Sequence, residues 1–553
     1  MKKLRLISLV ILFILFGIII FVASPNLNPL YDDGLAFWGL VITTFVVVYW
    51  LISGVEKVKG FAGEIKDRAT GKSSKITKLP KMGAALVVIA LAPWVILIVV
   101  NIVSSVVFHS SRYRDQLTKP ESRQFTSDLQ AIDVSQLPVV DYNLAYKLAD
   151  KKLGEKPSLG SQVTLGDPTI QKVDGKLVWV VPLEHSGFFK WLSNMEGTPG
   201  YIVVSATDPS DVTYKDSYPI KYQPSAYLLD NLTRHVRFSG GLFTGITDYS
   251  FELDDSGKPY WVVTTYKNEL GFNLPEANGV LVVDAATGAT KHYSIKDVPS
   301  WVDRVQPGDY IMTQIKNRGK YIHGIFNFSN KDKFEPSDNY AIVYNNGRCY
   351  LFTDLTSVGS DQSATGFMMV DMVTKKTYLY QMSGATEYAA QKSAEGRLQN
   401  YKYTASYPLI TNVNGEPTYF MTLKDEEGLI KQYAFVSVKN YMIVGNGDTL
   451  QDALDDYDGK VRAAPDGNSI SAGAKKVTLD GTIARIAMEQ ESGNSIFKLM
   501  LTNKPGVIFS AAYDLSNELA LTRDGDKVRL VYSQTDKSLI TLTGFTNESI
   551  QLK

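Results

Sequence analysis

Three long apolar runs in the first 110 residues constrain this chain more than any other feature. They extend from Leu6 to Ala23, from Leu35 to Ile52 and from Met82 to Phe108. Each is close to the roughly 20 residues that an α-helix needs to cross a hydrocarbon core about 30 Å thick. We therefore predict that residues 1–110 form a three-helix transmembrane anchor for one large region beyond His109.

The first run could instead be the core of a signal peptide, since Lys2, Lys3 and Arg5 precede it. It is long for a signal peptide, and a proline lies beside the small-residue site Ala23-Ser24-Pro25. A second apolar run follows at once. These observations favour a retained helix.

Charged residues predict the orientation of the anchor. The segment 53–81 is basic, whereas Ser24–Gly34 has no Lys or Arg and contains Asp32 and Asp33. The basic side chains are Lys57, Lys59, Lys66, Arg68, Lys72, Lys75, Lys78 and Lys81. The positive-inside rule then places the N-terminus and the loop 53–81 in the cytoplasm, and residues from about 109 onward outside the cell membrane. The apolar runs contain no Asp, Glu, Lys, Arg or His, which argues against a transporter.

Charge balance and cysteine content bear on two further properties, nucleic-acid binding and disulfide bonding. Lys+Arg and Asp+Glu number 57 each, so nothing in the overall charge indicates nucleic-acid binding. The single cysteine, Cys349, excludes an intramolecular disulfide.

The region beyond the anchor repeats a pattern of strands. Gly175–Val181 recurs as Gly257–Val263, and both contain Trp-Val-Val. Their following strands, Gly200–Ala206 and Gly279–Ala285, both open with glycine, and weaker copies start at Gly347 and Gly415. Helices are predicted between these strands at Leu144–Leu153, Ser225–Val236, Thr386–Asn400 and Asp448–Val461. Helices followed by antiparallel strands predict repeated α+β modules.

This pattern resembles the PepSY family of bacterial envelope modules. The resemblance depends on the order of helix and strands, the paired Trp-Val-Val strands, and Val282–Gly288, which leads into a third strand. Val370–Lys375 is a degraded version, and the first copy departs from the motif at Asp208-Pro209. The resemblance implies an extracytoplasmic binding or regulatory module without catalytic residues.

The last 80 residues differ from the repeats. Five strands are predicted, at Lys475–Ile486, Ile496–Thr502, Gly506–Ala512, Lys527–Ser533 and Ser538–Phe545. This layout indicates a small closed β-barrel, similar to an OB fold. Since its charges are nearly balanced and its aromatic residues lie mostly in strands, we expect no nucleic-acid partner.

The predicted fold is thus a membrane-anchored α+β protein: three N-terminal transmembrane helices, repeated helix-plus-antiparallel-sheet modules and a small C-terminal β-barrel. The predicted domains are the anchor at 1–110, PepSY-like modules at 111–225 and 226–335, two degenerate repeats at 336–470, and the OB-like barrel at 471–553.

No catalytic, metal-binding or cofactor-binding pattern is present in the sequence. The five histidines lack metal-site spacing, and Cys349 lies in a predicted strand. Carboxylates cluster at Asp254-Asp255, Asp425–Glu427 and Asp452–Asp458. A pair of them could serve glycoside hydrolysis or calcium binding, although a solvated face is the simpler interpretation.

Two groups of residues are candidate contacts with a partner. Phe188, Phe189 and Trp191 form an aromatic group that could contact a partner or a membrane surface. Trp301 and Arg304 lie in a predicted helical turn between prolines, where packing onto a sheet is the simpler interpretation.

The leading hypothesis is a non-enzymatic membrane protein that displays a scaffold for another envelope protein or a second copy of itself. Two alternatives stay open: a structural subunit of a secretion, conjugation or phage-related assembly, and a cell-wall hydrolase with a carboxylate pair.

Overall fold

The computed structural model describes residues 2–69, 81–129, 133–358, 363–464, 476–491, 494–533 and 539–550. Part of the predicted basic loop, residues 70–80, lies outside these ranges. The chain divides into two compact units. The first comprises Met1–Arg123 and Ser135–Met382, and the second comprises Gln124–Val134 and Ser383–Lys553.

The N-terminal helices are α1 (Lys2–Ala23), α2 (Asp32–Ala69) and α3 (Lys81–Val103). Their segments Leu6–Ala23, Asp32–Leu51 and Ala85–Val103 are long and apolar enough to cross a membrane, as the sequence predicts. Helix α2 continues to Ala69, so the first part of the predicted loop 53–81 is helical.

The third helix ends at Val103, before the predicted Phe108. Ser105 is extended (ψ 161°) and starts a separate helix, α4 (Val106–Asp115). The short elements β1 (Glu121–Ser122) and α5 (Phe125–Asp128) follow.

The first module contains helices α6 (Tyr142–Gly154), α7 (Pro157–Gly160) and α8 (Phe188–Ser193). Its strands are β2 (Val163–Leu165), β3 (Thr169–Val173), β4 (Lys176–His185), β5 (Tyr201–Ser205) and β6 (Val212–Lys215). Helix α6 begins where the Asp141 side chain accepts a hydrogen bond from the Leu144 amide at 3.0 Å. Leu144, Ala145, Ala149 and Leu153 are buried at helical spacing, so the helix presents one apolar face.

The second module begins with a short helix, α9 (Leu232–Val236), and a π-helical turn (Arg237–Gly241). The predicted helix Ser225–Val236 is therefore mostly wrong: Leu228 has a positive φ of 48°, and Asn231 caps α9 only from residue 232 onward. Four antiparallel strands follow in the order β10-β9-β8-β7. They are β7 (Gly245–Leu253), β8 (Pro259–Leu270), β9 (Asn273–Asp284) and β10 (Thr290–Ser294).

The first and second modules share one hydrophobic core. It contains Val178 and Val180 from β4 together with Phe251, Trp261 and Val283 from the second sheet. The two strands that contain Trp-Val-Val therefore contribute residues to the same hydrophobic core.

The third module contains α10 (Gly308–Lys320), β11 (Phe334–Pro336), β12 (Ala341–Asn345), β13 (Arg348–Ser357), β14 (Ser363–Asp371) and β15 (Thr377–Ala385). Strand β1 pairs in parallel with β15. The predicted helical turn at 301–305 is wrong: the segment is non-helical after Trp301, because the Val305 amide bonds to the Met372 carbonyl at 2.9 Å.

The second unit starts with α11 (Glu387–Arg397), β16 (Thr404–Ala405), β17 (Leu409–Val413), β18 (Glu416–Lys424), β19 (Ile430–Ser437), β20 (Val444–Gly447) and α12 (Leu450–Ala463). Tyr419, Phe420, Phe435 and Tyr457 are almost fully buried there.

The final strands are β21 (Lys476–Glu491), β22 (Asn494–Leu501), β23 (Lys504–Ala512), β24 (Lys527–Ser533) and β25 (Leu539–Asn547). They pair in the order β21-β22-β23-β25-β24, and β24 returns to β21, so this sheet closes on itself.

Candidate functional site

The end of α1 is held by an arginine of the second module. Arg234 Nε donates to the Phe21 carbonyl at 2.5 Å, and Arg234 Nη2 donates to the Val22 carbonyl at 3.1 Å. The last carbonyls of a helix lack partners within the helix and carry partial negative charge, so a guanidinium group suits them. The guanidinium carbon also lies 4.6 Å from the centre of the Phe21 ring.

The segment between α1 and α2 is bound to the same module. Leu27 N donates to the Leu242 carbonyl at 2.9 Å, and Asn28 Nδ2 donates to the Phe243 carbonyl at 2.9 Å. The Tyr31 hydroxyl donates to the carbonyl of Tyr266 at 2.7 Å. Leu27 and Tyr31 are each only 8% exposed. The segment is therefore packed against the second module as well as hydrogen-bonded to it.

The end of α3 also contacts the second module. Asn273 Nδ2 donates to Ser104 Oγ at 2.8 Å, just after the helix. Gly271 has a φ of +57°, and a Cβ atom there would lie 2.8 Å from Val100 Cγ1. The hairpin between β8 and β9 thus approaches α3 closely because Gly271 has no side chain.

We define the docking face as Arg234, Leu242, Phe243, Tyr266, Gly271 and Asn273. It contacts the C-terminal end of α1, the segment that leads into α2 and the C-terminal end of α3. These are the ends that three successive antiparallel spans place on one side of a bilayer. The second module is therefore attached at several points on that side.

A buried polar junction connects the sheets of the first three modules. Asp303 Oδ2 accepts hydrogen bonds from the Lys172 amide at 3.0 Å and the Tyr344 hydroxyl at 2.9 Å. The Asp303 amide donates to Glu252 Oε2 at 3.1 Å, and Arg304 Nη2 donates to the Ile170 carbonyl at 3.0 Å. The segment 303–304 thus contacts β3, β7 and β12.

The electrostatics of this junction favour a protonated carboxyl. Glu252 is 0% exposed, and its burial raises its pKa to about 8, with the charge of Asp303 acting in the same direction. Burial also raises the pKa of Asp303. A carboxyl pair that is this deeply buried suits a structural role better than attack on a polysaccharide.

A second ionic junction joins the second and third modules. Lys375 is paired with Glu276 Oε1 and also donates to the Gln116 carbonyl at 3.0 Å. Gln314 Nε2 donates to Glu276 Oε2 at 3.3 Å, and Gln116 Nε2 donates to the Pro275 carbonyl at 2.9 Å. The Lys375 side chain is 12% exposed and that of Glu276 is 19% exposed, so solvent screens this pair only weakly.

The predicted contact residues occupy two different surroundings. Phe188 and Trp191 pack against Tyr227, with ring centroids 5.2 and 5.6 Å from it, while Phe189 is 80% exposed. Trp301 stacks on Tyr260 at 4.9 Å, as the packing interpretation expects. Arg304 lies in the buried polar junction, where its Nε atom has no hydrogen-bond partner among the residues that the structure describes.

The carboxylate clusters found in the sequence are engaged in local structure. Asp254 accepts from the amides of Ser256 and Lys258, which closes the turn between β7 and β8. Asp425 pairs with Lys431, and Asp456 pairs with Lys460 along α12. Within the described ranges, no group of three or more His, Cys, Asp or Glu side chains is arranged to hold a metal ion.

A polar cavity of about 310 Å³ lies beside the π-helical turn of the second module. Ser239, Gly240, Thr244, Leu281, Thr290 and His292 line it. The pattern of the sequence gives no signal for this cavity, since its lining comes from the turn, β9 and β10.

No family model and no curated protein matches this chain. Among solved structures, it is similar to a mutant of B. megaterium levansucrase at 10% identity, over 75% of this chain and 97% of that one, with a TM-score of 0.19. It is also similar to Trypanosoma rangeli sialidase bound to 2,3-difluorosialic acid at 12% identity, over 68% of this chain and 53% of that one, with a TM-score of 0.16. Both TM-scores are too low to indicate a shared fold.

Proposed function

We propose that this is a non-enzymatic integral membrane protein that displays a scaffold of PepSY-like modules outside the cytoplasm, where it binds or regulates envelope proteins. The observation that carries the proposal is the docking face. A module bonded to three helix ends has a fixed position relative to the bilayer, whereas a tethered catalytic domain needs only a flexible linker.

The proposed orientation follows from the docking face and the charges together. The segment 53–81 joins the ends of α2 and α3 that are opposite to the docking face. Since this segment is basic, the positive-inside rule puts it in the cytoplasm and the docking face outside.

The two polar junctions support a scaffold role. They use charged side chains to join sheets from separate modules, and each group is enclosed between the modules that it joins. Buried polar groups of this kind fix one arrangement of the packed elements, because any other arrangement leaves them without partners. A fixed series of modules suits the presentation of a binding surface.

We propose that the fourth module, which comprises α11 to α12 of the second unit, carries the partner contact. The fourth module exposes Tyr388, Tyr401, Tyr441 and Met442, which are 60%, 63%, 42% and 71% exposed. Arg397 donates to the Met442 carbonyl at 3.2 Å, so an arginine lies beside this group. Tyr, Met and Arg are enriched at protein interfaces, and aromatic and arginine side chains supply most hot spots.

Photo-crosslinking in native membranes tests this contact. A benzoylphenylalanine placed at Tyr401 or Met442 is expected to form one discrete adduct with another protein, because the label replaces an exposed side chain at the proposed interface. Glu426, exposed on the same module, supplies the control position. Adducts at Tyr401 and Met442 no stronger than those at Glu426 would contradict the proposed interface.

A further inference from the structure

We propose that a belt of exposed apolar side chains on the first unit lies in the headgroup region of the outer leaflet. The belt consists of Phe189, Leu228, Leu229, Phe238, Phe243 and Phe328, whose exposed fractions range from 46% to 83%. The inference rests on the proposed membrane insertion and adds a lipid-binding surface to the proposed scaffold.

Four of these residues lie beside the end of α1 and the segment after it. The Phe238 ring centroid is 6.2 Å from that of Phe21. The Phe243 carbonyl binds Asn28, and the Leu228 carbonyl accepts a hydrogen bond from Arg234, which also caps α1. Leu229 follows directly in the sequence, so these groups surround the point where α1 leaves the bilayer.

The belt continues along the first module through aromatic contacts. Tyr227 precedes Leu228, and its ring lies 5.2 Å from that of Phe188. Phe189, 80% exposed, lies 5.6 Å from Phe188. The aromatic group of α8 is therefore continuous with the surface beside α1.

Phe328 lies on the segment after α10, which contacts α4. Helix α4 bends at His109, so that the Tyr113 hydroxyl returns to the Ser104 carbonyl at 3.0 Å. Arg114 Nη1 then donates to the Ile322 carbonyl at 3.5 Å, which holds the segment after α10 next to α4. Phe326 and Phe328 project from this segment, 77% and 83% exposed.

Lipid fits this belt because the surface is continuous with the spans. Aromatic and aliphatic side chains at the bilayer interface can contact the acyl chains of the lipids, while the backbone that carries them stays in the headgroup region. Half-buried Lys190 follows Phe189 directly in the sequence and can reach lipid phosphates.

Quenching by brominated lipid tests the proposal on the full-length protein in phosphatidylcholine–phosphatidylglycerol vesicles. An NBD label is attached at F243C or F328C, at I98C within α3, or at D255C beyond the far end of β7. Asp255 lies about 30 Å along the strand from Gly245, which contacts Tyr31. Native Cys349 stays unlabelled, because it is buried and burial raises the pKa of its thiol to about 12.

We expect acyl-chain bromines to reduce the emission of the labels at F243C, F328C and I98C at least twofold and to leave the D255C label unchanged. Quenching at I98C without quenching at F243C and F328C would overturn the belt and leave the anchor in place. An unquenched but blue-shifted F243C label would assign the surface to a protein instead and overturn the lipid contact. Loss of quenching at all positions, I98C included, would overturn both the belt and the proposed membrane insertion.

Discussion

Replacing Lys375 with methionine is expected to destabilise the contact between the second and third modules by about 2–4 kcal/mol. The change leaves the mostly buried Glu276 carboxylate without its cation and the Gln116 carbonyl without a donor. The cost is high because water cannot replace the lost partners at a side chain that is only 19% exposed. This destabilisation is measured by hydrogen exchange of the full-length protein in micelles. We expect the amides of β9 and β14 to exchange faster in the variant.

Two variants control the Lys375→Met experiment. Lys392→Met breaks an exposed pair on α11 and is expected to leave exchange unchanged, because solvent already screens that pair. The double variant Lys375→Met with Glu276→Gln removes both charges and is expected to recover part of the loss. If Lys375→Met and Lys392→Met behaved alike, the ionic junction would have no structural role.

The second large effect concerns Glu252. Its folded-state pKa is raised to about 8 by burial, from an ordinary value of 4.5. The folded state therefore holds a proton that the unfolded state releases, so stability decreases as the pH rises from about 4.5 to about 8. Glu252→Gln is expected to remove this pH dependence and to stabilise the first unit at pH 8 by about 2–4 kcal/mol.

Thermal unfolding between pH 5 and pH 9 measures the effect of Glu252→Gln. The matched control is Glu269→Gln, an exposed carboxylate on β8 whose side chain is 44% exposed. We expect the midpoint of the control to follow that of the unaltered protein at every pH. A Glu252→Gln protein whose midpoint still decreased with pH in the same way would show that Glu252 is ionised in the folded state.

Local patterns in the sequence predict much of the fold. The three apolar runs, helix α6 and helices α11 and α12 are found close to their predicted positions. The runs are almost continuously apolar, and each of the other three helices has a capping residue. Asp141, Thr386 and Thr449 accept the capping hydrogen bonds at the starts of α6, α11 and α12. The repeated strands are also found where the Trp-Val-Val pattern places them.

Other elements depend on tertiary contacts. Helix α10 is missed because Pro307, Gly308 and Gly319 weaken its helical signal. Gly319 is needed there, since a Cβ atom would lie 2.0 Å from the Phe334 carbonyl oxygen. The predicted turn at 301–305 fails for a similar reason, as Val305 bonds to Met372 in the third module.

The candidate site could not be predicted because its contacts are distant in sequence. Arg234 and Phe21 are 213 residues apart, and Lys172 and Asp303 are 131 apart. Nothing in the local sequence of Arg234 distinguishes a helix-capping arginine from a solvated one. The aromatic group at Phe188 has a stronger local signal, but its position beside the anchor depends on Tyr227 and Leu228.

We infer that the second module is fixed to the ends of the three apolar N-terminal helices. Pulsed electron paramagnetic resonance on the full-length protein in lipid nanodiscs tests it most directly, with spin labels at exposed Leu30 and exposed Asp255. We expect one narrow distance distribution, which broadens when Arg234→Ala removes the cap of α1. A broad distribution in the unaltered protein would contradict it and show that the module is only tethered.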